Sequence, residues 1–140
     1  MSSSIDERSD DGEQRTISML AELSNEMVRL YKEQFGRGPV SARAAWAGPD
    51  VLVVVLEGTL TPAERNLVRM GEHERLRETR MFFQYASVRE FCEPVERLTG
   101  RTVRAFVSGL DTEVAGLSIE TFVLHPAGSM APSRIERAEA

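Results

Sequence analysis

The chain has 140 residues, 41% of them hydrophobic, which suffices for one core and one domain. Its formal net charge of −5 argues against nucleic acid and anionic membrane surfaces as partners, because counterion release needs concentrated positive charge. No apolar run approaches the roughly 18–20 residues of a membrane span, and the opening MSSSIDERSDDGEQR is too polar for a signal peptide, so a cytoplasmic protein without direct membrane insertion is expected.

Residues 1–13 are rich in Ser, Asp and Glu with one large apolar residue, Ile5, and read as a disordered tail. A single domain is expected over residues 14–126. From Thr16 the apolar residues Ile17, Leu20, Leu23, Met27, Leu30, Tyr31 and Phe35 recur at spacings of three and four, predicting an amphipathic helix. Gly36-Arg37-Gly38-Pro39 stops it, since Gly suits a left-handed cap and Pro cannot continue the helix.

Val40 to Glu57 reads as a hairpin turning at Gly48-Pro49-Asp50. In its first strand Val40, Ala42, Ala44 and Trp46 share one face, and Ser41, Arg43 and Ala45 the other. The second strand, VLVVVLE, is a continuous β-branched run of the kind found in a well-covered central strand. Trp46 is either a large core residue or a half-exposed anchor.

Thr61 to Gly100 reads as helix almost throughout. Thr61 can cap, Pro62 sits at the first helical position and Glu64 can reach back to the cap. A single forty-residue rod would be about 60 Å long, too long for a globule of this size, so a bend is expected, with Gly71 the best place for it. The segment GEHERLRETR has only Leu76 as an apolar residue and reads as a solvated, internally paired surface. Beyond Arg80, Met81, Phe82, Tyr85, Val88, Phe91, Cys92, Val95 and Leu98 resume the helical spacing, and Pro94 is expected to kink this segment or mark its last turn.

Arg101 to Leu124 reads as a second hairpin. Val103, Ala105 and Val107 fall on one face of its first strand. In the second, Leu117, Ile119, Thr121 and Val123 fall on one face and Phe122 and Leu124 on the other. Residues 127–140 read as a disordered C-terminal tail. The two halves also rhyme: Glu33 to Arg37 before Val40, and Glu96 to Arg101 before Val103, are each a helix end, a Gly/Arg turn and a strand opening a hairpin, which raises an α-β-β duplication. The expected fold is α+β, two β-hairpins forming a four-stranded antiparallel sheet with helices on one face.

The residue pattern offers no catalytic set. Glu72-His73-Glu74 cannot converge on one ion, because helix neighbours point about 100° apart; no Ser/His/Asp or Cys/His spacing, metal set or glycine-rich phosphate loop is present, and no cofactor is expected. The single cysteine, Cys92, reads as a small packed residue. Arg37, His73, Arg77 and Arg80 are the candidates for holding a small anion. Trp46, Phe82, Phe83 and Tyr85 are the candidates for contacting a partner, and a homodimer would cover the long helical stretch.

The succession YKEQFGRGP, AGPDVLVVVLEGTLTPAERNLV, MGEHERLRETRMFFQYASVREFCEPVERLTGRTV and SIETFVLHP resembles the MpsC-like family, formerly a bacterial domain of unknown function, over residues 16–126. The positions matching its motifs are Arg37, Gly38 and Pro39, then Leu60, Thr61 and Glu64, then Gly100 and Arg101. The resemblance implies a soluble companion of integral-membrane transporter subunits in a Na⁺-translocating, membrane-potential-generating system linked to inorganic-carbon uptake, and it brings no catalytic residues. The expected function is therefore a non-catalytic accessory or regulatory protein; the alternative is a small-anion sensor or an uncharacterised enzyme using the Arg/His cluster.

Overall fold

The computed structural model describes residues 3–139, with side chains described from Asp10 to Glu136. Helix α1 spans Ser3–Phe35 and closes where Gly36 takes a left-handed φ of 79° and its N–H returns to Lys32 O. Strands β1 (Ser41–Trp46) and β2 (Val51–Glu57) form the first hairpin. Helices α2 (Pro62–Arg69), α3 (His73–Ala86) and α4 (Val88–Thr99) follow, then strands β3 (Val103–Asp111) and β4 (Leu117–Leu124) and the short helix α5 (Arg134–Glu139).

The four strands make one antiparallel sheet in the order β1-β2-β4-β3. This order is unchanged when the two hairpins are exchanged, the arrangement that a repeated helix–hairpin unit requires. Along β2 and β4 burial alternates strictly: Leu52, Val54, Leu56, Ser118, Glu120, Phe122 and Leu124 face the helices, and their neighbours face outward. Leu23, Met27 and Leu30 of α1 and Phe91, Cys92 and Val95 of α4 close over that inner face. The fold is thus α+β, an open sheet with helices on one side.

Four local expectations are corrected. Helix α1 reaches back to Ser3 instead of starting at Thr16; residues 10–18 are exposed, so the helix propagates past its packed part by adding one intrahelical hydrogen bond per residue to a nucleus already formed. The C-terminal segment read as a tail carries α5, because Ile135 finds a place in the core. Residues 1, 2 and 140 of the expected tails lie outside the described residues. The forty-residue rod bends at Gly71 as expected, where φ is 75°, but its second break is at Ser87 and not at Pro94. Ser87 gives its N–H to Phe83 O and its C=O to Phe91 N–H, while Pro94 stays inside α4 with its ring buried. Finally, β3 has a register irregularity between Val103 and Ala105, so Val103, Phe106 and Ser108 face inward while Ala105 and Val107 face outward.

The exit of β2 is pinned to the β3–β4 loop, since Gly58 and Thr59 both give their N–H to Gly116 O. Gly116 has φ of 83°, and a Cβ there would lie 2.5 Å from Leu60 Cγ. Gly116→Ala is expected to cost roughly 1–3 kcal/mol through backbone strain and overpacking, read as a lower urea midpoint at unchanged m-value.

Candidate functional site

Helix α3 is inside out. Its buried residues are Leu76, Arg80 and Gln84, four residues apart and therefore on one stripe, while Phe82 is 71% and Phe83 50% exposed. A buried guanidinium is tolerated only with a partner and full hydrogen bonding. Arg80, 1% exposed, has the partner and most of the bonding: Nε donates to Glu64 Oε2 at 2.6 Å, and Nη2 donates to Glu64 Oε1 at 2.8 Å and to Thr59 O, while Nη1 has no hydrogen-bond partner among the described residues. Its guanidinium also lies 3.8 Å from the centroid of the Phe35 ring, so the cation is stacked as well as paired.

Glu64 is placed by the start of α2. Thr61 Oγ1 accepts the N–H of Glu64 at 3.2 Å and Glu64 Oε1 accepts the N–H of Thr61 at 2.8 Å, a complete capping box behind Pro62. Burial pushes the Glu64 carboxyl up, but the Arg80 and Thr61 hydrogen bonds overcome this and hold it below the usual carboxylate range.

One turn further along α3, the two N–H groups of Gln84 Nε2 are shared among Tyr31 Oη at 3.0 Å, Ser108 Oγ and Glu120 Oε1, while Gln84 Oε1 has no hydrogen-bond partner among the described residues. Tyr31 Oη donates to Glu120 Oε1 at 2.5 Å. This seam joins α1, α3, β3 and β4 at the centre of the helix–sheet interface. Glu120 is fully buried, and its Oε2 has no hydrogen-bond partner among the described residues. Burial pushes its pKa up to about 7 against the pull of Tyr31, Ser108 and Gln84, and burial followed by the Glu120 charge raises Tyr31 well above its ordinary value.

The four residues expected to hold an anion do not form one site. Arg80 is committed to Glu64, His73 Nδ1 is within 2.6 Å of Thr112 Oγ1, Arg77 is exposed to solvent, and Arg37 lies in the turn after α1. The reading of GEHERLRETR as wholly solvated is corrected by Leu76 and Arg80. Among the expected contact residues, Trp46 packs against the core beneath Arg101, whose Cζ lies 5.9 Å from its ring, so it is not a free anchor. Arg101 itself donates to His125 O and Pro49 O, both at 2.9 Å, and to Asp50, tying the first hairpin turn to the end of β4. Tyr85 is partly tied down, accepting the Ser108 N–H at 3.0 Å. Phe82 and Phe83, edge to face at 5.8 Å, form a ridge backed by Phe35.

Sequence reasoning missed Gln84, Ser108 and Glu120. Strand alternation carried the signal for the last, because it places Glu120 on the same side as Phe122 and Leu124.

Among the described residues no helix is long and apolar enough to cross a membrane, and no group of three or more His, Cys, Asp or Glu could hold a metal ion. The class is therefore an open-sheet α+β protein whose polar residues knit its two layers together. A family model described as "Na+-translocating membrane potential-generating system (MpsC)" matches residues 16–126, well over half of the chain, and the chain belongs to the MpsC family. Comparison with curated proteins and with solved structures gives no match. The family-matched residues Thr61, Glu64, Gly100 and Arg101 build the capping box, the left-handed end of α4 and the hairpin tie.

Two outcomes follow for the seam. Glu64→Gln preserves a capping-box acceptor but strands the Arg80 charge, so it is expected to cost about 3 kcal/mol, close to Arg80→Ala, in denaturant unfolding. Glu120 has an ordinary value of 4.5 and a folded value of about 7, so the native state holds an extra proton between them. The resulting stability is complete below the lower value and is lost as pH rises through the upper one, about 3 kcal/mol in all. Glu120→Gln is expected to flatten this fall between pH 5 and pH 8 in parallel melts.

Proposed function

We propose that this protein is a non-catalytic accessory component of a membrane-potential-generating system, working on the cytoplasmic face by docking onto a segment of an integral-membrane subunit. The observation carrying this reading is the inverted helix α3, which buries Arg80 and Gln84 and leaves Phe82 and Phe83 in solvent. Burying those aromatic rings would have been worth roughly 1.5–3 kcal/mol each in an ordinary core. Exposed aromatic side chains that no packing requirement explains mark contact surfaces, and such residues dominate interface energetics. Membership of the MpsC family supplies the setting, a membrane ion-translocating system.

The partner segment that fits is an amphipathic helix whose apolar stripe lies against the ridge, with its polar side toward the neighbouring charged residues Arg75 and Glu78 of α3. The seam beneath holds the ridge in place: Arg80 stacks on Phe35, and Phe35 meets Phe83 with ring centroids 6.5 Å apart. The ridge is therefore pre-set, which lowers the ordering cost of binding.

Purification of the tagged full chain from gently solubilised membranes is expected to recover a specific integral-membrane protein. Phe82→Asp with Phe83→Asp is expected to reduce that recovery at least tenfold while leaving the melting temperature within a few degrees. Repeated recovery of the protein alone would overturn the proposal.

A further inference from the structure

The face of the sheet away from the helices has the wrong composition for solvent. An antiparallel sheet covered on one side ordinarily alternates apolar inward and polar outward. Here the outward residues include Val53 and Val55 of β2, Val107 of β3 and Ile119 and Val123 of β4, with Val107 56% and Ile119 38% exposed. No described helix covers them, since α1 and α4 both pack on the inner face. The Phe82/Phe83 ridge belongs to the helical layer, so this surface is independent of the function proposed above.

We infer that this open face is the contact surface for a second copy of the same chain, the two sheets packing face to face about a twofold axis that runs along the strands between β2 and β4. Three observations select that occupant. The first is the symmetry of the strand order: with β1-β2-β4-β3, such an axis lays β2 on the partner's β4 and β1 on its β3.

The second is fit along the rows that the register defines. One row runs Arg43, Val55, Ile119, Gly109 and the next runs Ala45, Val53, Thr121, Val107. Across the axis Val55 meets Ile119, Arg43 lies over the side-chain-free Gly109, and the small Ala45 lies over the prominent Val107. Large residues thus face small ones at both edges, with branched residues meeting in the centre.

The third is charge. Arg43 on edge strand β1, Glu57 at the end of β2 and Asp111 on edge strand β3 point to this face; Glu57 accepts a hydrogen bond from Ser41 Oγ at 3.0 Å, whereas Arg43 and Asp111 have no ion-pair partner among the described residues. The same axis brings Arg43 of each copy within one row of Asp111 of the other, giving two pairs at the rim. A twofold axis across the strands would instead stack Ala45 over Arg43 and leave both charges unmatched. The area is adequate: four strands about 4.8 Å apart and about 24 Å long present roughly 450 Å² in projection. Two such faces approach the total of about 1,000 Å² that a specific interface needs before side-chain relief is added.

Sedimentation of the full chain tests this. The wild type is expected to be a dimer at low micromolar concentration and Ile119→Lys a monomer, with circular dichroism confirming that the variant is folded. Arg43→Asp and Asp111→Arg are each expected to weaken the dimer about tenfold, and the double exchange to restore it to within a few-fold. Both single variants lie on the exposed edge, so the restoration can be read even if Ile119→Lys fails to fold. A wild type that stays monomeric, a folded Ile119→Lys that still dimerises, or a double exchange weaker than either single change would each overturn the inference. A monomeric wild type whose Ile119→Lys variant loses a membrane partner would assign the face to that partner instead. Loss of partner recovery on changing Phe82 and Phe83 alone, with the dimer intact, separates this surface from the ridge.

Discussion

One carboxylate sets the arrangement of the whole helical layer. Glu64 belongs at once to the N-terminal box of α2 and to the guanidinium of Arg80, so the direction in which α2 leaves the sheet and the depth at which α3 lies are decided together. Neither partner could be buried alone: a guanidinium without its counter-ion costs several kcal/mol, and so does a carboxylate without donors. The carbonyl of Thr59 and the ring of Phe35 complete the surroundings of the cation, bringing the exit of β2 and the end of α1 into the same constraint. Four elements therefore meet at a point where geometry is enforced by directional bonds. Apolar packing alone would permit sliding.

That choice explains the surface. With Arg80 and Gln84 directed inward, the 3.6-residue period puts Phe82 on the far side of α3 and Phe83 on the flank, where it leans on Phe35. The same polar logic continues to Glu120, whose neutral form is the better tenant of a sealed interface with one unpartnered oxygen. Directional contacts hold α2 and α3 while α1 and α4 seat on the sheet by apolar packing, and each layer leaves an apolar surface outward. The two surfaces lie on opposite sides of the molecule, so the docking and the pairing proposed above do not compete for the same residues.

Much of this fold was legible because Gly and Pro mark its boundaries. Gly36, Gly48, Gly71 and Gly100 all adopt left-handed φ where a turn or cap was read, and Thr61-Pro62-Glu64 formed the expected helix start. The break at Ser87 had no such marker. The two faces of β3 were misassigned because an irregularity after Val103 changes the alternation, and nothing in VRAFV signals it. The buried seam escaped for a different reason. Charged residues are rarely buried, so Arg80 and Glu120 read as surface unless their partners are known, and those partners lie 16 and 89 residues away at Glu64 and Tyr31. Phe82 and Phe83 were picked out by residue type, whereas their exposure depends on how deep Arg80 sits.

Cys92 lies fully buried where α4 meets the sheet, and burial pushes its thiol up to about 12. At neutral pH the thiol is therefore protonated and packed as a small apolar side chain, with no solvent-exposed surface. Its place in the chain is thus set by volume: the residue beside Phe91 must be small enough to sit between α4 and the sheet.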